Sequence, residues 1–363
     1  MKATLKAAVI GCGKRGLDHA RGYAACDGIE LVALVDRAEE KRKAGMDRFQ
    51  VAGYADVEEM LDQAKPDLVS IVTQPRGRAD LTRQVAAGKV KAIVAEKPMA
   101  LTMAEADSMV EACETAGIAL IISHQMRFCR EFVAGKEAIC RGEIGEIQFL
   151  RGVCYGNLLN QGTHVLDMIR WYAGEPKLEW VMASWSDDAA TFAELLGDPK
   201  RAAWKDEIHP APMWMHCYFA FEGGVRASLE CGLLYSRAGD SPSDWLQKRV
   251  CAVGTEGMIE TRVAGDSRVL PGKAAGWKKT AGDLRSWTDA TPAFLAELRD
   301  ALNHGGTHRN HARESAQTFE GLMACAQAAV DGGIVRLPAD RSRDALAELN
   351  ACAETIKPNE RKP

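Results

Sequence analysis

The sequence predicts an α/β protein of two domains. The first is a doubly wound parallel sheet. The second is an α/β domain built on a large, mostly antiparallel open sheet. Three observations carry this. Short apolar runs alternate with helical patterns over the first 123 residues. From about residue 145 the pattern changes to a period of two. The length, 363 residues, suits two domains at about 150 residues each. The boundaries are read as 1–123, 124–340 and a C-terminal tail, 341–363, with helices after about 290 packing back on the first domain.

The apolar runs of the first part are Ala7–Ile10, Ile29–Val35, Leu68–Val72, Ala92–Ala95 and Ile118–Ser123. They are rich in Val, Ile and Leu and lack in/out alternation, as parallel strands buried on both faces do. Helical patterns fill the gaps. Leu17, Ala20 and Ala24 make one stripe, Asp56 can cap Val57–Ala64, and Thr102 with Glu105 forms a capping box before Met103–Ala116. The run Arg37–Lys43 reads as an exposed helix start. Strand–helix alternation implies a doubly wound sheet.

In the second part, Ile147–Tyr155, Leu178–Ser186, Met213–Phe221 and Val225–Leu233 read as longer strands. Trp214, His216, Tyr218 and Ala220 alternate with Met215, Cys217, Phe219 and Phe221. Gly223 and Gly224 form a hairpin turn. A helix covers about Thr163–Ala173, and Asp187–Pro212 reads as a loop excursion. Ala293–Asn303 and Ala312–Ala329 are helical, until Gly332, Gly333 and Pro338 break the pattern.

Composition excludes several function classes. Hydrophobic residues at 47% and charged residues at 26% are globular values. Forty-six basic against fifty acidic side chains leave a net charge of −4, without the basic excess of a nucleic-acid or membrane-surface protein. No run approaches the roughly 20 apolar residues of a membrane span, and Met1–Lys6 does not read as a signal peptide. Eleven scattered cysteines without C-x-x-C fit a thiol-reducing cytoplasm better than a disulfide framework.

The sharpest motif is Gly11-Cys12-Gly13-Lys14-Arg15-Gly16. A strand precedes it, a helix follows, and a second strand ends at Asp36, twenty residues after Gly16. This is the dinucleotide fingerprint of a Rossmann domain. Gly11 permits the tight turn, Gly13 lets the backbone approach a pyrophosphate, and Gly16 lets helix and strand pack closely. The helix N-terminus then faces the phosphates. Asp36 is suited to the adenosine ribose and favours NAD; the adjacent Arg37 leaves NADP possible.

Further motifs are Ala95-Glu96-Lys97-Pro98 at the end of the fourth apolar run and Gly162-Thr163-His164-Val165-Leu166-Asp167 with Trp171 and Gly174. With the glycine loop followed by His19, Gly142–Gly145 and Val253–Gly257, the chain resembles the Gfo/Idh/MocA oxidoreductases over nearly its whole length. The resemblance implies hydride transfer between NAD or NADP and a hydroxyl-bearing carbon of a sugar, glycoside or cyclitol. It implies a homodimer or homotetramer through the second domain's sheet, with no nucleic-acid or membrane partner. It maps the active-site lysine and histidine onto Lys97 and His164. It places Thr73, Gln74, Pro75, Glu96 and Gln125 with Lys14 and Arg15 around the cofactor, and Arg127, Tyr155 and Asn160 near the substrate.

Bottom-up chemistry agrees. Lys97 ends a parallel strand, where open α/β sheets bind ligands, and Pro98 keeps it extended. A buried lysine beside an oxidised nicotinamide exchanges protons near neutral pH. The pKa range of His164 suits taking a hydroxyl proton, and Asp167 lies on the same helix face.

Two places depart from the family pattern. Asn160 stands where many members have Asp, four residues before the histidine; an amide holds geometry but cannot take a proton. That keeps open a reading in which NAD is retained through transient oxidation, in a lyase, glycosidase or epimerase. A non-catalytic NAD-binding regulator is a third reading. Arg76 and Arg78, in Thr73–Arg78, read as a solvated loop, or as a pair favouring an anionic group. Trp171, Trp180 and Trp185 are candidates for stacking on a sugar or for packing the sheet and its interface. His304, His308 and His311 read as a helix-linking loop rather than a metal tract, so no metal is expected.

Overall fold

The computed structural model describes residues 4–186, 208–212, 214–232, 246–263, 265, 267–272, 276–281 and 286–355. The chain divides into two compact units, Met1–Phe128 with Asp289–Ala316, and Cys129–Thr288 with Gln317–Pro363.

The first unit holds a six-stranded sheet in the order β3-β2-β1-β4-β5-β6, with every pair parallel. The strands are β1 (Leu5–Ile10), β2 (Ile29–Val35), β3 (Ala52–Tyr54), β4 (Leu68–Ile71), β5 (Ala92–Ala95) and β6 (Ala119–Ile122). The five apolar runs are thus five of the six strands, and β4 and β5 are buried at every residue. The short β3 escaped the reading because Ala52-Gly53-Tyr54 carries no apolar run. Helices are α1 (Lys14–Ala24), α2 (Glu39–Phe49), α3 (Val57–Ala64), α4 (Arg78–Ala86) and α5 (Met103–Thr115). Asp56 caps α3 by accepting from Glu59 N–H at 3.0 Å. The capping box of α5 is present in both directions. Only Gly45 of α2 is buried, so the charged run beginning at Arg37 is the start of a surface helix.

The first unit runs on past residue 123. Phe128, in the 3₁₀ turn Gln125–Phe128, packs edge-on against Phe294 and face-on against His308, with ring centroids 5.4 Å away in each case. Phe294 lies on α6 of the C-terminal segment, Ser286–His304. That helix starts at Ser286 rather than Ala293. Gly22 of α1 faces Leu295 and Thr291.

The second unit is a nine-stranded sheet in the order β14-β13-β12-β11-β7-β10-β9-β8-β15. Its strands are β7 (Ile147–Cys154), β8 (Leu178–Ser186), β9 (Trp214–Phe221), β10 (Arg226–Cys231), β11 (Lys248–Gly254), β12 (Gly257–Arg262), β13 (Ser267–Pro271), β14 (Lys278–Ala281) and β15 (Ile334–Arg336). All pairs are antiparallel except β10 on β7. In β9, Met215, Cys217, Phe219 and Phe221 are buried while Trp214, His216 and Tyr218 are not, as the period of two requires; Ala220, expected with the second set, is buried too. Glu222–Gly224 closes the β9–β10 hairpin with both glycines at positive φ. Met213, Leu233 and residues 187–207 of the loop reading lie outside the described residues.

Helices α7 (Arg130–Cys140), α8 (Thr163–Ala173) and α9 (Ala312–Asp331, from Gln317 onward) belong with this sheet. A Cβ at Gly152 of β7 would overlap Val165 and Ile169 of α8; the missing side chain sets how closely that helix lies. The C-terminal stretch read as a tail contains α10 (Ala345–Thr355), with Ala345, Leu346 and Leu349 buried.

His308 is 2% exposed. Its Nε2 lies 3.1 Å from Phe294 O and its Nδ1 accepts from Asn310 N–H at 3.1 Å. Burial, against a smaller opposing pull from Glu297, pushes the imidazole down to about 4. An unfolded histidine titrates near 6.5. Below that pH the unfolded chain takes up a proton the native ring refuses. Stability should therefore be level above pH 6.5 and fall between 6.5 and 4, by about 3 kcal/mol at most. Urea unfolding midpoints against pH test this; His308→Asn should show a shallower fall over that window.

Candidate active site

The first unit builds its loop from the end of β1. Gly11 N–H donates to Val35 O at 2.7 Å. Gly11 has φ +101°, and a Cβ there would press on the Val72 carbonyl, so both turn and neighbour demand glycine. A Cβ at Gly16 would overlap the Gly11 carbonyl. At Gly13 a Cβ would meet nothing within 4 Å, so the loop presents open space where a ligand's phosphate can approach the main chain. Helix α1 begins next, with no side-chain cap and no acid in its first turn. Its N–H groups and the positive end of its dipole are available to an anion. Lys14 is exposed beside them.

Asp36 follows β2 directly. Its Oδ2 accepts from Cys12 N–H and its Oδ1 from Ala38 N–H, both at 2.8 Å. The carboxylate thus braces the glycine loop, and each oxygen keeps a lone pair for a ligand hydroxyl. Arg37 is exposed. Cys12 is buried; burial first, then the Asp36 charge, pushes its thiol up to about 11, leaving it inert.

The strand ends of β4 and β5 meet over Arg78. Thr73 is half-buried, Gln74 exposed and Pro75 buried. Arg78 is no solvated loop residue: it opens α4, is 1% exposed, and donates to the carbonyls of Glu96 (2.6 Å), Pro98 and Thr73. Burial pulls it down to about 10, which still leaves it charged at neutral pH. Arg76 is exposed. Lys97 is half-buried, on a cis peptide to Pro98.

Glu96 is 5% exposed. Its Oε1 accepts from Arg15 Nε at 2.9 Å and lies 3.0 Å from His19 Nε2. Lys97 N–H donates to Oε2 at 3.2 Å. Burial alone would raise this carboxyl; Arg15, His19 and Lys97 outweigh it and hold it well below the usual range. With the amide of Gln125 oriented to donate to Ser123 O (2.7 Å), its oxygen accepts from Arg15 Nη2 at 2.6 Å. Arg15, expected at the cofactor, thus spends its guanidinium joining α1 to the ends of β5 and β6. Arg127, expected near substrate, is 1% exposed and donates to Arg309 O at 2.9 Å, within the packing of the first unit.

In the second unit the histidine motif follows a single π turn, Leu158–Gly162, an uncommon element that often marks functional sites. Asn157 opens it, accepting from Asn160 N–H at 2.8 Å and donating to His209 O at 2.8 Å. Asn160 is half-buried, and its Oδ1 accepts from Gln161 Nε2 at 2.9 Å. His164 (2%), Asp167 (1%) and Tyr155 (6%) are buried. Trp171 lies under the Lys136 ammonium, 6.0 Å from its ring, and Trp180 stacks on Tyr218 at 5.9 Å. Among the described residues, no three His, Cys, Asp or Glu come together as metal ligands.

Sequence reasoning named Arg78 but not its burial against carbonyls, and it missed Asn157 and the partners of His19. A buried arginine that serves carbonyls leaves no periodic signal, because its partners are main-chain atoms. The close approach at Gly16 predicts that Gly16→Ala forces helix from strand, costing about 3 kcal/mol in urea unfolding and weakening NADH binding in a fluorescence titration.

The family model for the NAD-binding Rossmann fold of an oxidoreductase family, GFO_IDH_MocA, matches residues 5–124. A D-apiose dehydrogenase of Paraburkholderia graminis is 36% identical over 141 residues, 39% of this chain and 37% of that relative. A myo-inositol 2-dehydrogenase of Thermotoga maritima is 29% identical over 197 residues, 50% of this chain and 58% of that one. The chain therefore spans well under two thirds of the length of these relatives. Among solved structures, an oxidoreductase of Agrobacterium radiobacter in complex with NAD+, L-tartaric acid and magnesium superposes with a TM-score of 0.78 over 92% of this chain and 98% of that one, at 20% identity. That likeness shows a shared fold. The family match thus covers the N-terminal Rossmann domain, residues 5–124, about a third of the chain.

Proposed function

We propose that the protein is an NAD-dependent oxidoreductase acting on a hydroxyl-bearing carbon of a sugar, glycoside or cyclitol. The observation that carries this is the glycine loop, open at Gly13, braced by Asp36 and leading into an uncapped helix. The names of the apiose and inositol relatives support the substrate class. Bound NAD would supply the hydride acceptor. Gly13 and the first turn of α1 would hold its pyrophosphate, and the carboxylate of Asp36 its ribose hydroxyls, repelling a 2′-phosphate.

Lys97 and His164 are the groups suited to the hydroxyl proton. As hydride moves between substrate carbon and nicotinamide, such a group takes up or returns the hydroxyl proton. Asn160 orients a hydroxyl without taking its proton. Because of that amide, a second reading keeps NAD bound while a transient oxidation drives elimination, hydrolysis or epimerisation.

Two wider readings belong here. The sheet face away from α7 and α8 exposes Met182 (45%) and Ile334 (54%), which are register partners, beside Trp180 and Tyr218. An exposed apolar patch of this kind suits a homodimer or homotetramer. Met182→Lys with Ile334→Lys should lower the mass measured by light scattering. The eleven free cysteines suit a thiol-reducing cytoplasm.

The deciding assay is NADH formation by the purified protein with NAD and a panel of sugars, glycosides and cyclitols. A substrate-dependent rise, at least about tenfold faster with NAD than NADP and lowered about 10²–10⁴-fold by Lys97→Ala, is expected. No NADH with any compound, while product analysis shows substrate consumed, would favour the retained-NAD reading. Neither NADH nor product would overturn both.

A further inference from the structure

A buried hydrogen-bond chain lies inside the first unit and ends on Glu96; its other members, Tyr23, Ser70 and His19, have no role in the chemistry above. Tyr23 Oη is 2.7 Å from Ser70 Oγ. Ser70 Oγ is 3.1 Å from His19 Nδ1. His19 Nε2 is 3.0 Å from Glu96 Oε1. Tyr23, Ser70 and His19 are at most 1% exposed. Arg15, His19 and Tyr23 are spaced by four, so they share one face of α1. Ser70 is on β4 and Glu96 ends β5.

The direction of every bond follows from one end. Glu96 is ionised, so it can only accept. His19 must then donate from Nε2. Burial, the largest influence on it, lowers its proton affinity despite Glu96, so the ring is neutral and Nδ1 accepts. Ser70 therefore donates to Nδ1, and Tyr23 donates to Ser70. This arrangement satisfies every donor and acceptor along the chain.

Such a chain could carry protons or hold a group still. It carries none, because it has no outlet: Tyr23 is 0% exposed, and burial raises its phenol far above neutral pH. Nor is a buried polar chain the most stable filling for this space, since apolar side chains of like volume do as well or better. What it does accomplish is registration. It locks the face of α1, whose N-terminus opens on the glycine loop, onto the carboxylate beside Lys97.

We propose that His19, backed by Ser70 and Tyr23, is a positioning residue for the cofactor site: it holds Glu96 in one orientation, and through Glu96 sets Arg15 and the main chain of Lys97. This rests on the NAD-binding reading above. The charged and titratable groups around Glu96 are Arg15, Asp18 and His19 on α1, Arg78 on α4, and Lys97 next in the chain. Without the donor at His19 Nε2, burial gains on the remaining cations and the carboxyl moves up toward the ordinary range. It then protonates in mild acid and releases Arg15.

The test is NADH titration by fluorescence from pH 4.5 to 8, on the full chain and on His19→Phe, His19→Gln and Ser70→Ala. Hydrogen exchange of the peptide containing Lys97, without cofactor, gives a second readout. His19→Phe should bind NADH about tenfold more weakly at pH 7, lose further affinity as pH falls below about 5, and exchange faster at Lys97. His19→Gln, whose amide can donate to Glu96 and accept from Ser70, should stay within about threefold of the parent. Ser70→Ala, which frees the tautomer, should show the same signature at smaller size, and it carries the test if the Phe variant does not fold. Parental affinity and pH profile in both His19→Phe and Ser70→Ala would overturn the inference. So would equal losses in the Phe and Gln variants with no change in pH profile, which would mark simple packing. A parent chain that binds no NADH would overturn the cofactor reading and this inference with it.

Discussion

One buried negative charge organises the carboxyl-terminal strand ends of the first unit. Glu96 sits at the end of β5, nearly out of water, where an unpaired carboxylate would cost several kcal/mol. The fold offsets that with Arg15, His19 and the Lys97 N–H on its oxygens, and with Arg78 on its carbonyl. These partners arrive from three places: Arg15 and His19 from α1, Lys97 from the turn after β5, and Arg78 from the start of α4. Satisfying this charge therefore draws those pieces together. The same guanidinium that meets Glu96 reaches Gln125 beyond β6, so the ends of two strands are joined to α1 by one side chain.

The glycine loop depends on a comparable constraint of sterics. Gly16 must pass against the Gly11 carbonyl, and Gly11 against that of Val72. Neither contact leaves room for a Cβ. Gly13 differs, because its missing side chain leaves open space rather than relieving a clash. Two glycines of the motif thus serve packing and one serves approach. Asp36 belongs to both tasks, holding Cys12 N–H while keeping acceptor capacity.

The second unit has its own logic. Its sheet is apolar on the face that meets α7 and α8. On the other face, arginines alternate with acids and aromatics. Arg151 pairs with Glu230 and Arg262 with Glu260, and Arg226 stands over Trp180. Four thiols, Cys154, Cys217, Cys231 and Cys325, are wholly buried. Cys154 and Cys231 are register partners with sulfurs 3.5 Å apart. They fill space as small apolar groups, and Cys231 occupies the room that Gly162 leaves before His164.

Much was legible in the sequence, and for identifiable reasons. Strands buried on both faces carry unbroken Val, Ile and Leu runs, so β1, β2, β4, β5 and β6 could be read directly. Caps at Asp56 and Thr102 announce themselves because their chemistry is local. The glycine loop and Asp36 stood at recognisable spacing. What stayed hidden depends on atoms far apart in the chain. In β11 to β13, buried positions are held by Lys248, Thr261 and Ser267, so the sequence shows no apolar alternation there. Arg78 read as a surface residue because nothing local says that three carbonyls converge on it. His19 read only as part of a motif, because Ser70 and Glu96 lie 51 and 77 residues away. The sequence by itself determined most of the elements and the glycine loop, since periodicity and steric need act within a few residues. Tertiary structure alone decided the charge states, the partners of His19 and which arginines are spent on protein atoms, since burial and hydrogen bonding are set only when distant segments meet.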